Sequence, residues 1–441
     1  MKFLTGLAER ARFYPPRMDE RRLKVFITSC LRQRDVLNRL AVKHGSPLYV
    51  LDERRLRAQA GKFRSVFEER LPGAGIFFAV KSNNMPEITR IMVNEGLGLD
   101  VSSGAELAQA CEAGAKEIFF SGPGKTDAEL TAAMGEADRV TVLMDSFGEL
   151  RRLDRLTRRH RRTVRAGVRL NTDPRGLWRK FGIPLSSLTR FFQEAFDAPF
   201  VELAGLQFHT SWNLSPFAQT AFISRLGKVL RDLPANMLGQ MAFLDIGGGF
   251  WPEQGEWLRA AGTPFGQFMK LLFRGRPDVS SRFCLESRLI DAFAQEIAAS
   301  LKASLPKALN CRICLEPGRW LCHEAVHLLI TVVDVKADDL VITDAGTNAV
   351  GWERFEQDYF PVINLTRPGV EEHPCAVLGS LCTPHDVWSY SYHGTTIRQG
   401  DLLLIPTQGA YTYSLRQNFI KPLPNVAIMD DEMSLDWKMI V

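Results

Sequence analysis

Long apolar runs are missing from this sequence. None approaches the roughly 18 residues that a membrane-spanning helix needs. The opening residues carry Glu9, Arg10 and Arg12 where a secretory signal would need an apolar stretch. Both absences predict a cytoplasmic protein. A dominant sign of charge is also missing. The 55 basic and 50 acidic residues leave a net charge of +5, and the basic residues read as dispersed, so no nucleic-acid partner is expected. Cysteine is sparse, with eight scattered over 441 residues, which excludes a disulfide framework. Cys311 and Cys314 form a lone C-x-x-C with no second pair at zinc-ribbon spacing. They sit in the strand-like run Cys311-Arg-Ile-Cys-Leu315 and read as small core residues rather than metal ligands. Repeats and low-complexity segments are absent.

The length predicts two domains, one of them large. Residues 17–44 are charged and partly helical, with Val36, Leu37, Leu40 and Ala41 on one face and Gly45 as the stop. Leu48–Leu51 is a short apolar strand, and Asp52 caps a helix carrying Leu56, Phe63, Val66 and Phe67. A rhythm of strand and helix then begins. The strands are expected at Ile76–Val80, Leu97–Val101, Glu117–Ser121, Val140–Asp145, Val164–Leu170, Leu203–His209, Met241–Ile246 and Cys311–Glu316. Pro86 fits a first helical position, and Thr126 with Glu129, like Ser146 with Glu149, fits a capping box. Eight strands alternating with helices predict an α/β fold, a TIM-like (β/α)8 barrel rather than an open doubly wound sheet. After about residue 325 come Leu328–Val335, Leu340–Thr343, Ala376–Leu378 and Leu402–Pro406, short apolar runs between Asp, Gly, Asn and Pro clusters. The expected division is an N-terminal extension at 1–47 that partly packs on the β-domain, a barrel at 48–325 and a C-terminal β-rich domain at 326–441.

In a barrel the chemistry sits at the C-terminal strand ends. Lys81 follows the first strand and Asp100 ends the second. Arg169 and Asn171 end the fifth, and His209 ends the sixth. Gly247, Gly248 and Gly249 follow the seventh, and Glu316 and Arg319 the eighth. A lysine directly after Ile-Phe-Phe-Ala-Val is either a nucleophile whose amine is activated by apolar surroundings or a side chain leaving the barrel mouth for water. Three consecutive glycines exceed the needs of a turn and suit a phosphate cradle of backbone N–H groups. Arg319 can add a bidentate phosphate contact. Glu316 can hold a proton on a heterocyclic nitrogen, or simply pair with Arg319. Two motifs are rejected. His323-Glu324-Ala325-Val326-His327 matches H-E-x-x-H, but it runs straight into a β-rich stretch where zinc binding would need a helix. Gly124-Lys125-Thr126 lacks the leading glycine of a phosphate-binding loop, because Phe119 stands there.

Together these segments resemble the fold-type III pyridoxal-phosphate decarboxylases, the ornithine and diaminopimelate decarboxylase family, over roughly residues 46–420. Phe78-Ala79-Val80-Lys81-Ser82-Asn83 is similar to the family's Tyr-Ala-Val-Lys-Ala-Asn, and Asp100 to Leu107 to its second-strand segment. Lys180-Phe181-Gly182-Ile183, His209, Gly247 to Phe250, Glu316-Pro-Gly-Arg319 with Gly318, Cys382 with Asp386, and Gly409-Ala410-Tyr411 follow in the family's order. The resemblance implies an alanine racemase-like barrel plus β-domain and pyridoxal 5'-phosphate as cofactor. It implies Lys81 as the Schiff-base lysine, with Asp100 and Arg169 beside the cofactor and His209 stacked on its ring. Glu316 would face the ring nitrogen. Gly247, Gly248, Gly249, Gly318, Arg319 and Tyr411 would serve the phosphate side, and Cys382 would come from the partner of a head-to-tail homodimer. Lys180 and Asp386 would be candidates for a salt bridge across that interface.

This chain departs from the family near the substrate. Thr383, followed by Pro384 and His385, stands where an acidic residue usually binds the distal amine. Trp212 stands where a phosphate-binding serine is common. The run from Gly351 to Phe355 has no standard counterpart. The expected activity is therefore decarboxylation of a diamino acid, a D-amino acid or a conjugated amino acid. Diaminopimelate decarboxylation in lysine synthesis, racemisation on the same fold and an inactive regulatory homologue are the alternatives.

Overall fold

Alternation of short, fully buried β-branched and aromatic runs with amphipathic helices produces a closed parallel barrel. The computed structural model describes residues 15–263, 266, 281–351 and 357–429. Strand β1 (Leu48–Asp52) precedes the barrel strands β2 (Gly75–Ala79), β3 (Gly98–Val101), β4 (Ile118–Phe120), β5 (Val140–Met144), β6 (Val164–Leu170), β7 (Val201–Phe208) and β8 (Phe243–Asp245). After β9 (Glu256–Arg259) and β10 (Arg282–Leu285), β11 (Arg312–Leu315) closes the ring between β8 and β2. All eight expected barrel strands are present, each within a few residues of its expected bounds.

The helices start as their caps dictate. Pro86 opens Pro86–Asn94. Thr126 and Glu129 form a full capping box. Ser146 caps Phe147–His160 by accepting from the Glu149 amide. The Glu149 side chain does not complete that box. It accepts from the Asp145 amide at 3.0 Å and pairs with buried Lys125 at 2.8 Å. Lys125 also donates to the carbonyls of Gly122 and Leu143, so the Gly-Lys-Thr segment is a buried ion-pair anchor.

The N-terminal end of the barrel is filled by Phe77, Phe119, Leu143, Ala204, Phe243 and Cys314. Phe77 and Phe119 stack at 4.0 Å. Gly98 and Gly205 make the room, since a Cβ on either would lie 2.5 Å from the ring of Phe77 or Phe243. Cys314 is thus a core residue, as its strand context suggests, whereas Cys311 lies just before β11 and is only half-buried, which corrects the expectation for it.

The chain divides into two units, and the division differs from the expected one. The barrel unit is residues 57–253 and 288–321. The second unit takes the described parts of 1–56, 254–287 and 322–441. Its main sheet runs β13 (Leu340–Thr343), β15 (Glu372–Leu378), β16 (Val387–His393), β14 (Ile363–Asn364), β17 (Leu402–Ile405), β12 (Val326–Ala337), β1 and β18 (Asn425–Met429). Strand β1 therefore leaves the expected barrel range. It pairs antiparallel with β12 and parallel with β18, because a strand buried at all five residues needs neighbours on both sides. The β9–β10 ladder also belongs here, tied through Cys284 N–H to Pro16 O. The helices Glu20–Leu31 and Arg34–His44 place Leu23, Ile27, Leu37 and Leu40 in the core of this unit, which includes Leu48, Leu329 and Leu404.

Basic charge is not evenly dispersed. Arg151, Arg152, Arg155, Arg158, Arg159, Arg161 and Arg162 crowd the helix Phe147–His160 and the turn after it, and Arg165 follows on β6. Glu194, Asp127 and Asp154 pair with several of them. The residues 352–355 of the unusual run after Gly351 lie outside the described residues.

Gly98→Ala is expected to cost about 1–3 kcal/mol, because the new methyl must displace a stacked ring in a filled layer. Urea denaturation of the variant checks this, and an unchanged midpoint would contradict the packing account.

Candidate active site

Strand ends bring the chemistry together on the opposite face of the barrel. Lys81 lies in the single turn Val80–Ser82 that follows β2. The Ala79 N–H donates to Pro317 O at 3.1 Å, and Gly318 lies so close to Ser82 that a Cβ would come within 2.8 Å of it. These contacts hold the Glu316-to-Arg319 segment against the Lys81 segment. Lys81 Nζ pairs with Asp100, at the end of β3 and fully buried. The other Asp100 oxygen accepts from Ser121 Oγ at 2.6 Å. Burial and the charge of Glu316 push the Asp100 pKa up to about 6, against the pull of Lys81.

Glu316 is the centre of the polar network. It is 1 % exposed and accepts from Gln207 Nε2 at 3.2 Å. Its other oxygen lies 3.4 Å from His209 Nδ1. Burial alone would raise its pKa, yet hydrogen bonding from His209, the Lys81 charge and a hydrogen bond shared with Asp245 hold it well below the usual carboxylate range. Burial first, and then the Glu316 charge, push Asp245 well above its ordinary value. Two touching buried carboxyls cannot both ionise. Here Asp245 is the acid and Glu316 the carboxylate. His209 Nδ1 also lies 3.2 Å from the Gly248 N–H, so it offers either a lone pair to Gly248 or a proton to Glu316. Burial lowers the His209 pKa against the pull of Glu316.

The three glycines form a cradle that no side chain can enter. A Cβ on Gly247, Gly248 or Gly249 would lie 2.4, 2.2 and 2.2 Å from the carbonyl oxygens of Phe208, Glu316 and Thr210. Gly247 and Gly249 also have φ of +68° and +83°, which favours glycine. Arg319 stacks its guanidinium 4.5 Å above the Trp251 ring. Arg169 covers Phe181 at 4.6 Å and lies 3.9 Å from Asp145. Asn171 has a local task, donating to Phe181 O at 2.6 Å and so holding the Lys-Phe-Gly segment.

The structure thus gathers Lys81, Asp100, Arg169, His209, Gly247, Gly248, Gly249, Glu316, Gly318 and Arg319 in the barrel unit. Cys382 and Tyr411 lie in the second unit, Cys382 exposed on the turn after β15 and Tyr411 at φ +57°. Within the chain, Asp386 is 2 % exposed and accepts from Thr347 N at 2.7 Å and Leu381 N at 2.7 Å. His323–Ala325 is one 3-10 turn and His327 is on β12, so the H-E-x-x-H residues do not share a helix face. Sequence reasoning missed Asp245, Gln207 and Ser121. The signal for Asp245 was present as a lone carboxylate between Leu244 and Ile246 in an apolar strand.

Residues 54–323, more than half of the chain, match the model described as "Pyridoxal-dependent decarboxylase, pyridoxal binding domain". The chain belongs to this family. It is a pyridoxal-phosphate-dependent amino-acid decarboxylase. Among its relatives, the diaminopimelate decarboxylase of Methanothermobacter thermautotrophicus is 27% identical over 395 residues, covering 86% of this chain and 85% of that one. The L-glutamyl-(BtrI acyl-carrier protein) decarboxylase of Niallia circulans is 26% identical over 404 residues, covering 85% and 86%. In fold, the chain resembles the diaminopimelate decarboxylase of Helicobacter pylori, solved with L-lysine, at TM-score 0.72 and 22% identity, covering 91% and 98%. The residues of this decarboxylase fit its cofactor. The glycine loop offers a backbone bare of side chains, packed against the Glu316 segment, and the Lys81 amine and the buried Glu316 carboxyl stand at other strand ends of the same unit. No helix among the described residues is long and apolar enough to cross a membrane.

The raised pKa of Asp100 has a sign that can be tested. A carboxyl whose pKa is higher in the fold favours the folded state at low pH, and that contribution is lost as pH rises from 3.8 to about 6. Cofactor-free wild type is expected to lose urea resistance over this window more steeply than Asp100→Asn. Equal slopes would contradict the burial of an ionisable Asp100.

Proposed function

We propose that Lys81 carries the cofactor, with Glu316 at its ring nitrogen, His209 against its ring, and Gly247 to Gly249 with Arg319 at its phosphate. The observation that carries this reading is Glu316, a carboxyl at 1 % exposure that accepts from Gln207 at 3.2 Å and lies 3.4 Å from His209 Nδ1. When bound, pyridoxal phosphate supplies an electron sink for the pair left on Cα as CO2 departs. The residues of the chain set the conditions. Glu316 keeps a proton on the ring nitrogen by lying beside it as an anion, and protonated Asp245 keeps Glu316 from spending its charge elsewhere. Asp100 holds the Lys81 amine in place as an ion pair until it is needed. His209 closes one ring face to water. Cys382 from the partner of a homodimer with shared sites hands a proton to Cα, and Tyr411 contacts the phosphate.

The substrate follows from Thr383. A neutral hydroxyl cannot make the charge-assisted bond that an acidic residue would give a distal ammonium. The amino acid is therefore conjugated or carries its amine in another register, and a D-amino acid remains within the same reading. The Niallia circulans relative, whose name specifies a carrier-linked glutamyl group, is consistent with this. Diaminopimelate decarboxylation is the second reading, favoured by the names of several relatives.

The cofactor-loaded protein is expected to release CO2 from a member of a panel of diaminopimelate isomers, both enantiomers of lysine, ornithine and arginine, and glutamyl conjugates. Lys81→Ala is expected to lose at least about 1,000-fold in turnover, the scale at which covalent catalysis operates. Full activity in Lys81→Ala would remove the lysine from the mechanism. Inversion at Cα without CO2 release would move the reaction to racemisation.

A further inference from the structure

Two indoles meet beside the glycine cradle. Trp212 lies in the loop after His209, and Trp251 comes two residues after Gly249. The loops are zipped together. Asn213 N–H donates to Gly249 O at 3.0 Å, Trp251 N–H donates to Asn213 O at 3.2 Å, and Asn213 bridges Phe250. This pairing brings the two rings to 6.2 Å with 30° between their planes. Trp212 reaches that place at φ +55°, a backbone region that a bulky residue enters only when its surroundings hold it there. Trp251 is 7 % exposed, and on it lies the Arg319 guanidinium at 4.5 Å. The order is Trp212, Trp251, Arg319, anchored at one end by the cradle loop and at the other by the Glu316 segment.

The chemistry of this arrangement is specific. A guanidinium over an indole face is attracted by the ring quadrupole, and that contact fixes where its charge stands. A guanidinium is also the group that forms bidentate bonds to phosphate oxygens. The position of Trp212 is where a serine hydroxyl commonly meets phosphate in similar enzymes, and an indole N–H ring cannot replace a small hydroxyl in the same space. We infer that Trp251 is a positioning residue for the cofactor phosphate, holding the Arg319 guanidinium over its ring, with Trp212 packed behind it in place of a direct hydroxyl donor. This inference rests on the reading of Arg319 as a phosphate ligand.

The test compares two ligands that differ only in the phosphate. Cofactor-free protein is titrated by equilibrium dialysis with pyridoxal 5'-phosphate and, separately, with pyridoxal. Arg319→Ala is expected to weaken the phosphate ester and leave pyridoxal unchanged. Trp251→Leu is expected to weaken the phosphate ester about tenfold, the scale of a desolvated cation–π contact, with pyridoxal shifted less than about twofold. Trp251→Phe, which retains a ring face, is expected to recover most of the loss. Trp251→Leu is expected to add nothing in the Arg319→Ala background. Equal weakening of both ligands by Trp251→Leu would reduce Trp251 to packing, and no weakening of either would remove it from the site. Either outcome overturns the inference while leaving Arg319 in place. If Arg319→Ala itself leaves the phosphate ester unaffected, the phosphate reading fails and the inference falls with it. Pyridoxal affinity also reports folding, so a misfolded variant shows itself within the same experiment.

Discussion

A negative charge buried at the mouth of a barrel is the constraint on which the site depends. Removing a carboxylate from water is costly unless neighbours favour its ionised form. Around Glu316 several neighbours do so. Gln207 donates to it, Lys81 lies near as a cation, and Asp245 takes up the proton that would otherwise neutralise it. Even the backbone participates, since Glu316 N–H donates to Gly247 O at 2.9 Å and locks the carboxylate segment to the cradle. The charge and the glycine loop beside it are thus parts of one local fold. Loss of the glycines would displace Glu316 directly, because a Cβ on Gly248 lies 2.2 Å from the Glu316 carbonyl.

The two ends of the barrel divide the labour. The N-terminal end is a layer of aromatic rings with glycines opposite them, which fixes strand spacing. The C-terminal end carries the carboxyl groups, amine and imidazole at strand ends. Polar groups buried there are expensive, and the rigid floor keeps their geometry from relaxing. Arg319 adds to this end of the barrel, with its guanidinium 4.5 Å over the Trp251 ring.

Much of this was legible in the chain. Strand periodicity and caps such as Pro86 and Thr126 located the barrel, because each strand is short, apolar and followed by a helix signal. The site residues were legible because charged residues directly after apolar strands are conspicuous. Partnering was not. The five apolar residues of β1 say that it is buried, but nothing in them selects β12 and β18 over the barrel. Asp245 escaped because a carboxyl inside a strand gives no sign of its protonation until Glu316 is beside it. The partners of Asp386 within the chain were hidden for a related reason: its place in a motif does not show that Thr347 and Leu381 donate to its oxygens. The Trp212–Trp251 contact joins two separate loops and is a property of their zipped backbones alone.

The account is tested most directly by the protonation of the cofactor's ring nitrogen. Cofactor labelled with 15N at the pyridine position is bound to the wild-type protein and to Glu316→Gln, and the 15N chemical shift is read by NMR at neutral pH. The buried anion predicts a protonated nitrogen in the wild type and an unprotonated one in Glu316→Gln. An unprotonated nitrogen in the wild type, or the same shift in both proteins, would contradict Glu316 as the charge around which the site is built.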